Sequence, residues 1–545
     1  MDSKPSTPTA SRNTGHGSKE EVVIQGEGTA SATPKAFRFG RMFPNQTNQP
    51  MSLKLDTCSR IGARMTALPE QARRDSAIPA GYTYFGQFVD HDISFDETEA
   101  LKREADNPAT PEVEPTPLGD LVQKRSPSLD LDSLYGTSSG RDDRLLDGPR
   151  FKIGQTTPSP GIGPTDQHLP YDLPRAWAPD SGKTAQRAVI GDPRNDENLA
   201  VAQTHLMWLK FHNAVVDQLT ANDPGASQMR LFEQSRELVT KHYQFVVLHD
   251  FVRRFIDPEV FQSVIKEQKR QFLKAVAGEI AFMPLEFSVA AYRHGHSQVR
   301  NTYDWNINFP AGTSFRLLFD FSEVSGTFFG NPTLPTNWIA DFSRLYDFTG
   351  FQFPNLEGRT PGEMNLAKKI DPFLALPLGN LPEIQPLVAA GLRPFANLAA
   401  LNLRRGSMRN LPSGQDLVAQ IPGAEPIGRT EMRTVLDLQF DAEMEALGLY
   451  DRTPLWLYTL LEAAVNGDGE HLGKVGSTIV AETFLSLVLT SRISILTPGA
   501  KWTPTDAQPD LGAEAPLDTI PAILAWIDLR DPIIDPLQDI RLRGT

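Results

Sequence analysis

The sequence predicts a mainly α-helical protein: one large helical domain with long loops, residues 36–545, behind a polar tail at residues 1–35. Three observations carry this. Apolar residues recur at helical spacing through most of the chain beyond Pro193, period-two alternation is sparse, and the 44 prolines are spread through the connections rather than gathered in one linker. No internal repeat divides the chain, and 545 residues are enough for one large helical enzyme.

Met1 to Lys35 is rich in Ser, Thr, Gly, Lys and Glu without an apolar core, which reads as disorder. Phe37 to Pro79 shows little strong periodicity, and Thr98 to Lys124, rich in Pro and charge, reads as a long surface excursion. Beyond Asp192-Pro193, Leu199–Leu219 reads as an amphipathic helix, followed by helices over Met229–Ile256 and Pro258–Val276. Pro, Gly and Asn punctuate Asn301–Pro335. Helical patterns return at Asn337–Tyr346, Thr430–Leu447, Leu455–Val465 and His471–Ile495.

The net charge of −14 argues against a nucleic-acid partner, weakly favours uncharged or cationic substrates, and serves solubility. Cys58 is the single cysteine, so no intramolecular disulfide forms, which fits a reducing compartment. The N-terminus lacks the apolar stretch of a secretory signal, and no apolar run reaches the roughly 18 residues a membrane span needs. The expectation is a soluble chain, cytoplasmic or exported by a leaderless route.

The densest chemistry lies in Gly86-Gln87-Phe88-Val89-Asp90-His91-Asp92. On a helix, neighbours sit about 100° apart, so Asp90, His91 and Asp92 point three ways, and one can face a pocket while the next binds something behind it. This run resembles the distal-histidine segment of the animal-type haem peroxidases, the superfamily of myeloperoxidase and prostaglandin synthase. Four further segments match that family in the same order, with spacing that looks closest to its bacterial members. The resemblance covers about Ala36 to Ser413 and implies haem b as cofactor.

By that resemblance His91 is the distal base, taking a proton from hydrogen peroxide and returning it to the departing oxygen. Gln87 is placed to hold water or halide beside it. The segment Gly191-Asp192-Pro193-Arg194-Asn195-Asp196-Glu197-Asn198 supplies Arg194, whose guanidinium stabilises charge on the leaving oxygen. His205 and His212, on the following helix, are expected to be structural. Asp90 and Glu197 match the carboxylates that form esters to haem methyl groups, with plain hydrogen bonding as the alternative. Asn198 stands where some relatives carry the Met of a sulfonium link, so that link should be absent.

In Glu286–Ser297, which resembles the proximal helix, His296 matches the axial iron ligand and Arg293 a haem-propionate partner, with His294 as rival ligand. From Leu398–Arg405, Asn402 is expected to accept a hydrogen bond from His296, and Arg405 to sit near a propionate. Ser126, Ser128, Asp130 and Asp132 alternate as oxygen-bearing residues suited to calcium. With Asp92 they match the family's calcium site, where the position of Ser128 gives its backbone carbonyl.

The function implied is reduction of hydrogen peroxide and oxidation of a small donor, halide, pseudohalide or phenolic, through a ferryl state. The competitor within the superfamily is a fatty-acid dioxygenase, whose radical tyrosine stands three residues before the axial histidine; Tyr292 stands four before His296. A remote alternative reads His91-Asp92 and His249-Asp250 as pairs of an HD-type metal phosphohydrolase, and a third an idle haem-binding or adhesion module. Neither the oligomeric state nor the donor is legible.

Overall fold

The computed structural model describes residues 37–46, 50–97, 115–136, 142–160, 165–177, 185–275, 281–310, 312–351, 364–381, 396–497 and 501–543. The tail at 1–35 and most of the predicted excursion at 98–124 lie outside them. Among the described residues, β structure is limited to isolated bridges and two-stranded ladders, such as Asp75–Pro79 antiparallel to Leu366–Lys368. Helices make the rest: α1 (Leu55–Met65), α2 (Gly81–Ile93), α3 (Leu199–Asn222), α4 (Gln228–Val246), α5 (Leu398–Met408), α6 (Leu455–Asn466) and α7 (Lys474–Thr490) carry the core. One apolar cluster runs through them from Phe39 to Leu537.

Helix α3 organises the centre. Asn198 caps it, its Oδ1 accepting from Val201 N at 3.0 Å. Residues 199–216 are buried on every face, where the sequence pattern led us to expect a one-sided helix. The difference has a physical cause: α2, α4 and the C-terminal helix Ile520–Asp528 all pack around α3, leaving it no solvent side. Its polar residues must therefore find partners inside. Lys210 reaches Asp531 across the Tyr171 ring, and His212 bonds Tyr135 Oη at 2.9 Å. Against α3, the Phe85 and Phe88 rings of α2 stack on Trp208, and Tyr243 of α4 meets all three edge-on.

Other expectations need correction. Asn337–Tyr346 is not a helix but two single turns, Thr336–Trp338 and Phe342–Arg344. Its backbone donors serve distant carbonyls instead, Phe342 N reaching Ile534 O at 2.7 Å. Thr430–Leu447 is split into Arg429–Thr434 and Leu438–Ala446, Asp437 capping the second. The helix expected over Pro258–Val276 stops at Lys266. There Glu482 of α7 instead accepts the backbone N–H groups of Gln271, Phe272 and Leu273 at 2.7–2.9 Å. The proximal segment is one turn, Leu285–Ser288, followed by a 3₁₀ stretch, Ala291–His296.

Candidate active site

A cleft lies between α2 and the 291–296 stretch. Gln87, Asp90 and His91, three and four residues apart, line it from one helix face, together with Arg194. Arg293, His294, Gly295 and His296 line it from the other element, and Phe251, Phe315, Phe319, Leu378 and Leu398 add apolar wall. The elements touch directly: Tyr292 Oη donates to Gly86 O at 3.0 Å. A side chain at Gly86 would meet the Phe251 ring at 2.9 Å, so only glycine allows this approach.

His91 is buried, and burial together with the Arg194 guanidinium holds its pKa down to about 4. It is therefore neutral at ordinary pH. Its Nδ1 lies 2.8 Å from Asn195 Oδ1, an acceptor, so the proton sits on Nδ1 and Nε2 keeps its lone pair. Arg194 is held from behind: Nη2 donates to His91 O at 2.8 Å and to Asp192 at 2.7 Å, and the guanidinium covers the Phe95 ring. Asp192 also accepts from Arg125 Nε at 2.9 Å. Burial alone would raise its carboxyl, but Arg125 and Arg194 hold it well below the usual carboxylate range. Gln87 Oε1 accepts from Asn198 Nδ2 at 3.0 Å, so the residue that caps α3 also fixes Gln87.

On the proximal side, a 3₁₀ stretch turns about 120° per residue, so Arg293 and His296 share a face while His294 points elsewhere. Arg293 and His296 both meet Asn402 of α5, at 2.9 and 2.8 Å. His294 is buried, stacked on Phe255 with its Nδ1 3.2 Å from Ala291 O. One expectation is reversed here. Asn402 presents Nδ2, a donor, to His296 Nδ1, because Arg293 Nη1 can only donate and claims Oδ1. Burial and the Arg405 guanidinium nearby pull Arg293 down to about 10. Of the two carboxylates expected at the cofactor edge, Asp90 lines the cleft and accepts from Ser94 Oγ at 2.8 Å. Glu197 is buried outside the lining, its backbone carbonyl taking Ser322 Oγ at 3.0 Å.

Asp92 points away from the cleft, as its place beside His91 requires. It accepts from Ser133 N at 2.9 Å and Tyr243 Oη at 3.1 Å. Asp132, reached through a left-handed Leu131, accepts from Ser126 Oγ and N, and Ser126 Oγ lies 2.8 Å from Ser128 Oγ. Burial and the neighbouring Asp132 push the Asp92 carboxyl up to about 7, and burial pushes Asp132 up to about 6. Asp130 is instead engaged by Arg492 N and Ile493 N at 3.1 and 3.3 Å. Among the described residues, no three His, Cys, Asp or Glu side chains converge as a metal group. Gly191 closes this loop onto the Arg194 segment, since a side chain there would meet Ser133 O at 2.6 Å.

The HD pairs do not assemble. Asp250 is occupied by Tyr82 Oη, Arg254 and Ile520 N, and His249 packs on Phe245. Sequence reasoning assigned no role to Asp192, Asn195 or Arg125. An Asp just before Pro193 carries an N-cap signal, which this structure bears out: Asp192 accepts from Arg194 N. Among the described residues no helix is long and apolar enough to cross a membrane.

This fold resembles those of two solved proteins whose names carry different activities. The structure resembles peroxidase A from Dictyostelium discoideum, with a TM-score of 0.56 at 17% identity over 92% of this chain and 95% of that one. It also resembles the fatty acid alpha-dioxygenase of Oryza sativa, with a TM-score of 0.52 at 12% identity over 93% and 82%. At such identities the likeness is one of fold. Residues 110–324 match the family model "Animal haem peroxidase". Among relatives, chorion peroxidase of Drosophila melanogaster is 24% identical across 67% of this chain and 41% of its own length. Thyroid peroxidase of Sus scrofa is 27% identical across 31% and 19%. A peroxidase-like protein of Margaritifera margaritifera is 26% identical across 41% and 32%. The chain thus spans less than half the length of these curated relatives. The likeness is thus to animal haem peroxidases, over residues 110–324 of this chain.

Proposed function

We propose that this chain, as one domain over 36–545, is a haem peroxidase that reduces hydrogen peroxide and oxidises a small donor. The observation that carries the reading is the pairing, on one cleft, of a neutral His91 with Nε2 unprotonated and an Arg194 pinned by Asp192. The lining suits the cofactor: the walls are aromatic and aliphatic, and imidazoles stand on both elements, His91 on one and His294 and His296 on the other. Arg293 makes its bonds to neutral acceptors, Ser288 O and Asn402 Oδ1, leaving a positive charge suited to a propionate.

When bound, haem supplies an iron that accepts peroxide oxygen and stores its oxidising equivalents. His296 would hold that iron, Asn402 would orient the imidazole, and Arg293 and Arg405 would take the propionates. His91 Nε2 would accept a proton from peroxide and return it to the departing oxygen, which leaves as water. Arg194 stabilises negative charge on that oxygen as it develops. Gln87, fixed by Asn198, holds water or a halide nearby. Asp90 and Glu197 would be the carboxylates for ester links to haem methyl groups, each link requiring two-electron oxidation of the methyl carbon by peroxide with loss of its proton, and Asn198 offers no third link.

Calcium binds behind the distal base, held by Asp92, Ser126, the Ser128 carbonyl, Asp130 and Asp132. The nearness of two buried carboxylates, Asp92 and Asp132, supports this, because a cation compensates like charges that burial otherwise makes costly.

Purified protein loaded with haem should show a Soret band and, with peroxide, oxidise a phenol or iodide. Rapid oxygen uptake with linoleate that depends on Tyr292, with negligible phenol or iodide oxidation, would instead establish the dioxygenase.

A further inference from the structure

Behind His91 runs a chain of three buried side chains from three elements. His91 Nδ1 lies 2.8 Å from Asn195 Oδ1, and Asn195 Nδ2 lies 2.9 Å from His205 Nδ1. Asn195 and His205 are both 0% exposed, so neither can exchange its partner for water. An amide oxygen only accepts and an amide nitrogen only donates, so each contact has one direction. His91 donates from Nδ1 to Asn195, and Asn195 donates to an unprotonated Nδ1 of His205.

The direction matters for the far end. Were His205 protonated on Nδ1, the Asn195 amide would turn over and present its NH₂ to His91. Neutral His91 would then carry its proton on Nε2, the nitrogen next to the cleft, and could accept nothing there. We propose that His205, acting through Asn195, sets the tautomer of His91 and is a positioning residue for the distal base; this rests on the peroxidase reading above.

A second observation agrees. His205 Nε2 is buried with no hydrogen-bond partner among the described residues, the ring set edge-on to Phe88 at 5.7 Å. With Nδ1 accepting, the neutral ring bears its proton on this unpaired Nε2, and such orphans are costly in a core. A histidine serving packing alone gains nothing from that arrangement. An acceptor aimed at Asn195 is what the position supplies.

The test compares His205→Leu, which removes the acceptor, with His205→Asn, which keeps an oxygen at the same branch point. Two rates are read by stopped flow on haem-loaded protein: reaction with peroxide, and association of hydrocyanic acid, whose binding also hands a proton to the distal base. His205→Leu should slow both on the order of tenfold or more, part of the 10²–10⁴ that general-base catalysis supplies, with the donor KM unchanged. His205→Asn should restore most of both rates. In an Asn195→Asp background, where a carboxylate accepts from His91 whatever lies behind it, His205→Leu should add no further loss.

Equal losses in His205→Leu and His205→Asn, or no loss in either, would overturn the proposal. Should His205→Leu not fold, ¹⁵N-histidine spectra of the wild-type cyanide complex decide: a His205 proton on Nδ1 refutes it, and one on Nε2 supports it. Failure of the underlying reading looks different, since His91→Ala would then leave both rates unchanged.

Discussion

Asp192 and Arg194, two residues apart, are joined through three donor groups of the arginine. The carboxylate of Asp192 takes Arg194 N at 3.0 Å, Nε at 3.0 Å and Nη2 at 2.7 Å. Arg125 shares the same carboxylate, so two buried guanidiniums depend on one anion.

Asp192→Asn should therefore destabilise the protein by about 3–5 kcal/mol, the range for breaking a buried pair from one side. Because Arg125 and Arg194 hold the folded carboxyl below its unfolded pKa, the stability it contributes is fully present above about pH 4. It is lost as pH falls below that. Urea unfolding of wild type and variant should differ by a constant amount from pH 5 to 8 and converge in stronger acid.

Arg194→Leu should lower the rate of reaction with peroxide by roughly 10²–10³, by analogy with removal of an oxyanion donor. Arg194→Lys should recover little of it, since an ammonium cannot reproduce the fork that holds Asp192 and His91 O while staying beside the cleft. Single-turnover stopped flow separates this from any change in donor oxidation.

On the proximal side, His296→Ala should lose haem or its histidine-ligated spectrum, and His294→Ala should keep both. Asn402 bears on the same result. For His296 to bind metal through Nε2, the Asn402 amide must turn to offer Oδ1, which releases Arg293. Asn402→Asp, acceptor on both sides, should retain haem and lower the reduction potential, while Asn402→Leu should loosen haem binding.

Metal analysis should find about one calcium per chain, as expected for one oxygen-rich site. Prolonged chelation, or Asp92→Ala, should slow the peroxide reaction, because Asp92 directly follows His91 in α2. A metal-free protein of full activity would refute the assignment.

After peroxide turnover, acidified organic solvent should fail to extract the haem, and the double substitution Asp90→Asn with Glu197→Gln should release it. Free extraction from wild type would make the attachment non-covalent.

Much of this site was legible because its pieces are local. Seven consecutive residues fix Gln87, Asp90 and His91 on one face and Asp92 on another, a consequence of helical geometry alone. What escaped notice depends on partners far away in sequence. Asp130 is claimed by backbone donors 362 and 363 residues further on, and the direction of Asn402 is decided by Arg293, 109 residues before it. The role of His205 was hidden for a related reason. A helix buried on all sides has no period to separate a packing residue from one with a job, so only the partner of each nitrogen distinguishes them.

Cys58 lies fully buried in α1, and burial pushes its thiol up to about 12. Thiols are attacked by peroxide as thiolates, and at neutral pH such a group is almost wholly protonated and shielded. The substrate proposed for this enzyme is also an agent that inactivates many others through their cysteines. Here the single cysteine of the chain is withdrawn from that reaction, so sustained exposure to peroxide should spare the polypeptide's only sulfhydryl even while the active site consumes the oxidant.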